Sequence, residues 1–173
     1  LGCLRAAAEA GVEVVVLDRP NPLGGERIEG PVAAPRSVVK ESAVNRLPGP
    51  LVHGLTLGEM ALRLNADIGA RLTVVPMSGW RRAMTWSDTG RPWVPPSPNL
   101  RSPDAALAYP GIALLEGSNV SEGRGSDAPF LLWGAPWISA QDLAARIGPT
   151  PGFSLVPTRF TSRASAAASS QFR

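Results

Sequence analysis

The sequence predicts an α/β fold: a Rossmann-like, open and mostly parallel sheet with flanking helices and long loops, followed by the start of a smaller C-terminal domain. Residues 12–17 and 71–76 are short runs rich in β-branched residues, typical of strands buried on both faces. A helical pattern precedes each run, as in a βαβ unit. Gly and Pro number 18 each among 173 residues, which favours long loops over a helical bundle.

The first half of the chain carries the clearest local signals. The Ala-rich residues 3–10 predict a helix that ends at Gly11. Residues 18–50 show little periodicity and predict a loop, which at this length is typical of a functional segment. A T-x-x-E capping box beginning at Thr56 predicts a helix that runs to residue 68.

The second half begins with another long loop, residues 77–104. The apolar runs 111–115 and 130–133 predict two short strands. Residues 139–147 predict a helix capped by Ser139, and 153–160 one more strand.

We place a domain boundary after residue 138. Residues 1–138 are then the C-terminal portion of a Rossmann-like catalytic domain, and 139–173 begin a small C-terminal domain. The tail from residue 161 is low in bulky apolar residues, so we expect it to be disordered. The chain starts with Leu in what reads as the middle of a domain, and we expect it to be a fragment.

Composition excludes several classes of function. The 17 basic residues are scattered and the net charge is only +3, which argues against nucleic-acid binding. No apolar run approaches the roughly 20 residues of a membrane span. A single Cys and a single His cannot form an internal disulfide or a usual zinc site, although counting leaves an all-carboxylate Mg²⁺ or Ca²⁺ site open. We expect no cofactor.

Polar residues follow the predicted strands at the ends where α/β sheets bind ligands. Asp18 follows the first strand, Trp80 the second, and Glu116 and Asn119 the third. His53 lies just before the capped helix, whose N-terminus favours an anion. We expect these groups to converge on one pocket. The alternatives are that Asp18 caps a turn and that His53 is a hydrogen-bonded loop histidine.

Two glutamates in one glycine-rich loop give the sharpest chemical signal. Glu116 and Glu122 provide the two carboxyl groups that glycoside hydrolysis requires at minimum. One carboxyl group protonates the leaving oxygen and the other acts as base or nucleophile. The alternative is an ion pair between Glu122 and Arg124 that only fixes the loop.

Three Trp residues within 77–104 would suit stacking against a sugar ring, but could equally be core residues. A G-x-G-x-x-A match at 123–128 lacks the helix that dinucleotide binding requires.

An ordered set of eight motifs resembles the bacterial exo-β-N-acetylmuramidase family, formerly a domain of unknown function. The motifs are DRPNPLGG at 18–25, EGP at 29–31, HGLTLGE at 53–59, MSGW at 77–80, TGRPWVPPSPNL at 89–100, YPG at 109–111, EGSNVSEGRGSDAPF at 116–130 and GAPW at 134–137. The resemblance covers about residues 1–160, and we expect the chain to depart from the family after that. Among the matched positions, we assign catalysis to the two glutamates and substrate binding to Asp18, Asn21, His53, Trp80, Asn99, Asn119 and Arg124.

The resemblance implies a glycosidase of cell-wall recycling that releases terminal, non-reducing β-linked N-acetylmuramic acid (MurNAc). The implied partners are peptidoglycan-derived muropeptides or MurNAc–GlcNAc saccharides, and such substrates imply a periplasmic or secreted protein. One alternative is a non-catalytic module that binds wall fragments, or an inactive remnant. A nucleotide-sugar or dinucleotide enzyme on the same fold is a third, weaker hypothesis.

Overall fold

The computed structural model describes residues 1–32 and 49–161. The chain divides into two compact units, Leu1–Pro92 and Trp93–Arg173. This division does not test the small C-terminal domain that we predicted from residue 139, which stays a prediction. The tail that we expected to be disordered lies, from residue 162, outside the described residues.

The first unit contains the predicted helix–strand pair and its parallel partner. Helix α1 (Gly2–Ala10) ends at Gly11, whose φ of 65° is the left-handed conformation that glycine adopts readily. Strands β1 (Val14–Leu17) and β4 (Leu72–Val75) pair in parallel, in register throughout. The predicted mixed α/β fold with a parallel sheet is therefore confirmed, while the Rossmann-like detail is only partly so.

The prediction that both strands are buried on two faces was wrong for the part of the chain that the structure describes. One face of the β1–β4 pair packs on the helices, where Val14 and Leu72 meet a core that includes Leu4 and Leu64. The opposite face is open, and Val15 is 55% exposed. Continuous β-branched runs do not reveal how many layers cover a sheet.

Helix α2 (Leu57–Asn65) begins with the predicted capping box. The Thr56 hydroxyl accepts from the Glu59 N–H at 3.2 Å, and a Glu59 carboxylate oxygen accepts from the Thr56 N–H at 3.0 Å. The helix ends before the predicted residue 68, because the Asn65 side chain bonds both backbone groups of Ala70 and closes a turn. Its second residue, Gly58, lets it approach the sheet, since a Cβ there would lie 2.6 Å from Val74 Cγ1.

The segment 18–50 is not an unbroken loop. Strands β2 (Glu29–Val32) and β3 (Pro50–Val52) form an antiparallel pair with an irregular register. Glycine and proline inside these short strands hid them from a search for alternating apolar residues.

The second unit contradicts the strand predicted at 111–115. Helix α3 (Pro103–Ile112) starts at Ser102, whose hydroxyl accepts from the Ala105 N–H at 3.1 Å, and a 3₁₀ turn (Ala113–Gly117) continues it. A short apolar run cannot by itself distinguish a buried strand from a helix. The signals that decide it here lie upstream, in the Ser cap and the Pro at the first helical position.

The strands predicted at 130–133 and 153–160 were also wrong. Phe130 has a φ of 65° and sits in a turn, and isolated bridges alone occur near both segments in the part of the chain described. The predicted helix at 139–147 is confirmed as α4 (Ala140–Ile147), with Ser139 accepting from the Asp142 N–H at 3.3 Å. None of the helices that the structure describes is both long and apolar enough to cross a bilayer.

Candidate functional site

Asp18 connects the end of β1 to the start of α2. One carboxylate oxygen accepts from the Gly58 N–H at 2.6 Å, and the other accepts from the Thr56 hydroxyl at 3.0 Å. The first oxygen also accepts from the Arg19 N–H at 2.8 Å. The carboxylate thus takes the place of an anion at the N-terminus of α2. The turn-capping alternative for Asp18 is close to what the structure shows, although the cap holds a helix rather than a turn.

Asn21 and His53 both bond the segment that leads into α2. The Asn21 amide donates to the Leu55 carbonyl at 3.1 Å, and its oxygen accepts from the Leu23 N–H at 3.0 Å. His53 Nδ1 accepts from the Leu55 N–H at 3.1 Å, which requires that nitrogen to be unprotonated. Burial lowers the pKa of His53, so the ring is held in its neutral form. Neutral His53 can give or accept a hydrogen bond through Nε2.

Arg82 completes this strand-end cluster, defined here as Asp18, Asn21, His53, Trp80 and Arg82. Its guanidinium donates to the Glu59 carboxylate at 2.6 Å and to the Gly25 and Gly54 carbonyls at 3.2 and 3.1 Å. Contact with Arg82 lowers the pKa of Glu59. Sequence reasoning missed this role because only the fold brings Arg82 to the capping box.

Trp80 packs against the glycine pair of the DRPNPLGG motif. A Cβ on Gly25 would lie 2.9 Å from Trp80 Cη2, so glycine is needed for the ring to fit. Trp80 Nε1 is buried and has no hydrogen-bond partner among residues 1–32 and 49–161. The other two Trp residues of the loop are also only partly exposed, and Trp93 Nε1 donates to the Leu100 carbonyl at 2.9 Å. A sugar-stacking role for the three stays a prediction.

The second unit brings both predicted catalytic glutamates onto one cation. Arg124 Nη1 lies 2.8 Å from a Glu116 carboxylate oxygen and 2.7 Å from a Glu122 oxygen. Burial lowers the pKa of Arg124, but its contacts with Glu116 and Glu122 raise it by more. We call these three residues the glutamate cluster. The ion pair weighed as the alternative for Glu122 is therefore present, and it includes Glu116 as well.

A closed loop positions two members of the glutamate cluster, Glu122 and Arg124. The backbones of Ser121 and Gly134 exchange two hydrogen bonds of 2.9 Å, which join the ends of the segment 121–134. Gly123, at φ 81°, runs so close to Leu132 that a side chain there would collide with its carbonyl.

Phe130 fills the inside of this loop and is only 2% exposed. The guanidinium of Arg124 lies 5.3 Å from the centroid of the Phe130 ring, a cation–π distance. Tyr109 meets the same ring edge-to-face, with the two ring centroids 4.9 Å apart. The aromatic pair thus fixes the position of the cation that the glutamates share. The left-handed backbone of Phe130 is uncommon for a bulky residue, and such conformations are found most often at functional sites.

The two remaining predicted binding residues make few local contacts. Asn119 is exposed on the chain between the two glutamates. The Asn99 N–H donates to the Ser97 hydroxyl at 3.5 Å, a long and weak hydrogen bond. Asp18, Asn21, His53 and Trp80 lie in the first unit, whereas Asn99 and the glutamates lie in the second, and their predicted convergence on one pocket stays a prediction. Within the described ranges, no group of three or more His, Cys, Asp or Glu is arranged to hold a metal ion.

Comparison with known proteins gives concordant matches. Residues 1–104 match the family model "Exo-beta-N-acetylmuramidase NamZ, N-terminal", and residues 107–172 match its C-terminal counterpart. The second match corrects our expectation that the chain departs from the family after residue 160. The peptidoglycan β-N-acetylmuramidase NamZ of Bacillus subtilis (strain 168) is 44% identical over 162 residues, which cover 91% of this chain and 38% of that protein.

Two crystal structures of DUF1343 family proteins from Bacteroides fragilis NCTC 9343 share the fold. One is 40% identical, with a TM-score of 0.75, and the match covers 83% of this chain and 38% of that one. The other is 38% identical, with a TM-score of 0.67, and covers 77% and 37% of the two chains. This chain therefore spans little more than a third of the length of these relatives. The motifs, the mixed α/β fold and the two adjacent family matches together show that the chain belongs to the exo-β-N-acetylmuramidase NamZ family.

Proposed function

We propose that the protein is a glycoside hydrolase that releases terminal, non-reducing β-linked MurNAc from peptidoglycan fragments during cell-wall turnover and recycling. The observation that carries this proposal is the 44% identity to a B. subtilis protein named for that activity, over nearly the whole of this chain. Its substrates would be muropeptides or MurNAc–GlcNAc saccharides. Because such substrates arise outside the cytoplasmic membrane, we also propose a periplasmic or secreted location.

The glutamate cluster supports this chemistry. Glu116 and Glu122 contact the same Arg124 nitrogen, so their contacting oxygens lie no further apart than the sum of those two distances. A pair of carboxyl groups this close can flank one glycosidic bond, with one group acting as acid and the other as base or nucleophile. Gly123 and the closed loop hold the backbone of Glu122, one member of this pair, in place before substrate arrives.

The strand-end cluster supplies polar groups suited to a sugar. Neutral His53 and the Asn21 amide can exchange hydrogen bonds with hydroxyl or acetamido groups, and Trp80 offers an apolar ring face. With Asn99, Asn119 and Arg124, these residues form the proposed substrate-binding set. Asp18 contributes by holding the start of α2, because its oxygens already accept three hydrogen bonds.

The test is release of MurNAc from a β-linked MurNAc–GlcNAc disaccharide, with the B. subtilis relative assayed beside this chain. We expect free MurNAc from both proteins. Release by the relative alone, with this chain folded by circular dichroism, would reject hydrolysis by these 173 residues. Release of GlcNAc in place of MurNAc from the non-reducing end of mixed oligosaccharides would reject the proposed substrate.

A second candidate is a module that binds wall fragments without cleaving them. It is favoured by one observation: both carboxylates are engaged by Arg124. Calorimetric titration of the chain with muropeptides distinguishes the two candidates. Binding without turnover supports the module, whereas no heat at millimolar ligand excludes it.

A further inference from the structure

The charges of the glutamate cluster do not balance. One guanidinium faces two carboxylates, so these three side chains together carry one negative charge in excess. An added anion would be repelled unless one of the carboxylates left the cation. The cluster therefore has to rearrange before it can accept a ligand of the proposed class.

The two glutamates differ in how firmly they are held. The Glu122 side chain is 13% exposed, and its backbone carbonyl accepts from the Phe130 N–H at 2.9 Å within the closed loop. The Glu116 side chain is 63% exposed and comes from the 3₁₀ turn outside that loop. Exposed ion pairs are worth little, whereas removing a buried partner is costly. Glu116 is thus the partner that an incoming anion can displace.

The guanidinium itself is not free to move with Glu116. It lies on the buried Phe130 ring and is only 29% exposed. Because its 2.7 Å bond to Glu122 does not involve Glu116, we expect the guanidinium to keep its position when Glu116 leaves. A guanidinium binds carboxylates in a planar, two-pronged geometry, and two of the Arg124 nitrogens contact Glu116, at 2.8 and 3.3 Å.

We propose that Arg124 is the specificity-determining residue for the lactyl carboxylate of MurNAc, and that this carboxylate binds by displacing Glu116 from the guanidinium. The inference rests on the proposed function for the identity of the sugar. It explains how the cluster can accept a substrate anion although it already holds two carboxylates, since the exchange leaves the number of carboxylates on the guanidinium unchanged. It also frees Glu116, which cannot donate a proton while it accepts hydrogen bonds as a carboxylate.

Binding of MurNAc and of N-acetylglucosamine, which lacks the lactyl group, tests the exchange by calorimetry. Glu116→Gln removes the competing charge but keeps the side-chain shape, and we expect it to bind MurNAc roughly 2- to 5-fold more tightly with no change for the other sugar. Arg124→Met should lose at least about tenfold in affinity for MurNAc alone. Asp127→Asn is the matched control, because it removes one negative charge at an exposed residue of the adjoining closed loop.

The proposal is overturned if Glu116→Gln leaves MurNAc affinity unchanged, if both sugars shift equally, or if Asp127→Asn has the same effect. Failure of wild type and Glu116→Gln to bind millimolar MurNAc also overturns it. Should Arg124→Met not fold, Arg124→Lys and Glu116→Gln give the answer. Hydrolysis is measured separately: loss of turnover with the exchange intact rejects the glycosidase and not the exchange.

Discussion

At the scale of single residues, each polar side chain of the candidate site is oriented by the hydrogen bonds or ion pairs that it makes with neighbouring groups. The sequence predicted ligand binding by Asp18, Asn21 and His53, with local capping or hydrogen bonding as the alternative for Asp18 and His53. In the structure each of the three is bonded to the start of α2 or to the segment leading into it. Glu122, which the sequence left open as a catalytic carboxylate or as a partner of Arg124, makes that ion pair. A side chain that is held in this way is pre-oriented, which is what a binding site requires.

His53 should make the protein sensitive to mild acid. Burial lowers its pKa below the usual 6.5, so the unfolded chain binds more protons and the stability present above pH 6.5 is lost as the pH falls through the folded value. We expect the free energy of unfolding, measured with urea, to fall between pH 7.5 and 5.5.

His53→Asn provides the control for that measurement. An Asn oxygen can accept from the Leu55 N–H as His53 Nδ1 does, but it does not titrate. The variant should therefore lose the dependence of stability on pH in this range. As the single His of the chain, His53 also gives one unambiguous NMR titration, and a midpoint above 6.5 would contradict the prediction.

At the scale of elements, several contacts of the first unit converge on helix α2. Its capping box, the Asp18 carboxylate and Arg82 all meet at its first turn. Gly58 allows that turn to contact β4 directly. The box was readable from the sequence because it is local, whereas Arg82 is 23 residues away from Glu59 and was not.

Loss of the cap should cost measurable stability. Thr56→Ala removes the hydroxyl that accepts from Glu59 N–H and donates to Asp18, and we expect a loss of about 1–2 kcal/mol in the free energy of unfolding. Thr56→Ser keeps the hydroxyl and should lose less than half of that. Equal losses in the two variants would mean that the methyl group, not the cap, matters.

Glu59 should make the stability of the same end of helix α2 sensitive to acid. Contact with Arg82 lowers its pKa, so its contribution is present above the usual value of 4.5 and is lost as the pH falls through the folded value. Glu59→Gln should keep the capping geometry but show a smaller loss of stability between pH 5 and 3 than wild type. The same urea midpoints for both proteins at each pH would refute this.

Strand β1 offers a matched pair of neighbours on opposite faces. Val14 packs on the helical core and Val15 is 55% exposed. Val14→Thr should lower the free energy of unfolding by about 1–2 kcal/mol, because it buries a hydroxyl without an assigned partner. Val15→Thr should change it by less than about 0.5 kcal/mol. Equal effects would mean that the open face of the sheet is covered in solution.

At the scale of the whole molecule, family membership and the paired glutamates point to the same chemistry. The chain spans little more than a third of its relatives, and the activity of the whole protein is accordingly a proposal with its own test. The glutamate cluster is the part of the molecule where that test is sharpest.

Replacing either glutamate should abolish turnover if both are catalytic. Glu122→Gln and Glu116→Gln should each lower kcat for MurNAc release by at least about 100-fold, the range associated with general acid–base catalysis. Asp127→Asn should keep wild-type rates, since Asp127 is exposed. Wild-type rates in both glutamine variants would end the catalytic assignment while leaving the family function standing.

The sequence by itself determined the family, the mixed α/β class, helices α1, α2 and α4, and the parallel strands, because these depend on local caps, on periodicity and on ordered motifs. Tertiary structure determined which secondary structure the short apolar runs adopt. The run 111–115 joined a helix whose cap lies nine residues upstream, and Phe130 turned inward beneath Arg124. It alone decided that Glu116 and Glu122 share one guanidinium. A charge contact between residues eight positions apart is set by the path of the loop, and that path depends on packing that no local pattern encodes.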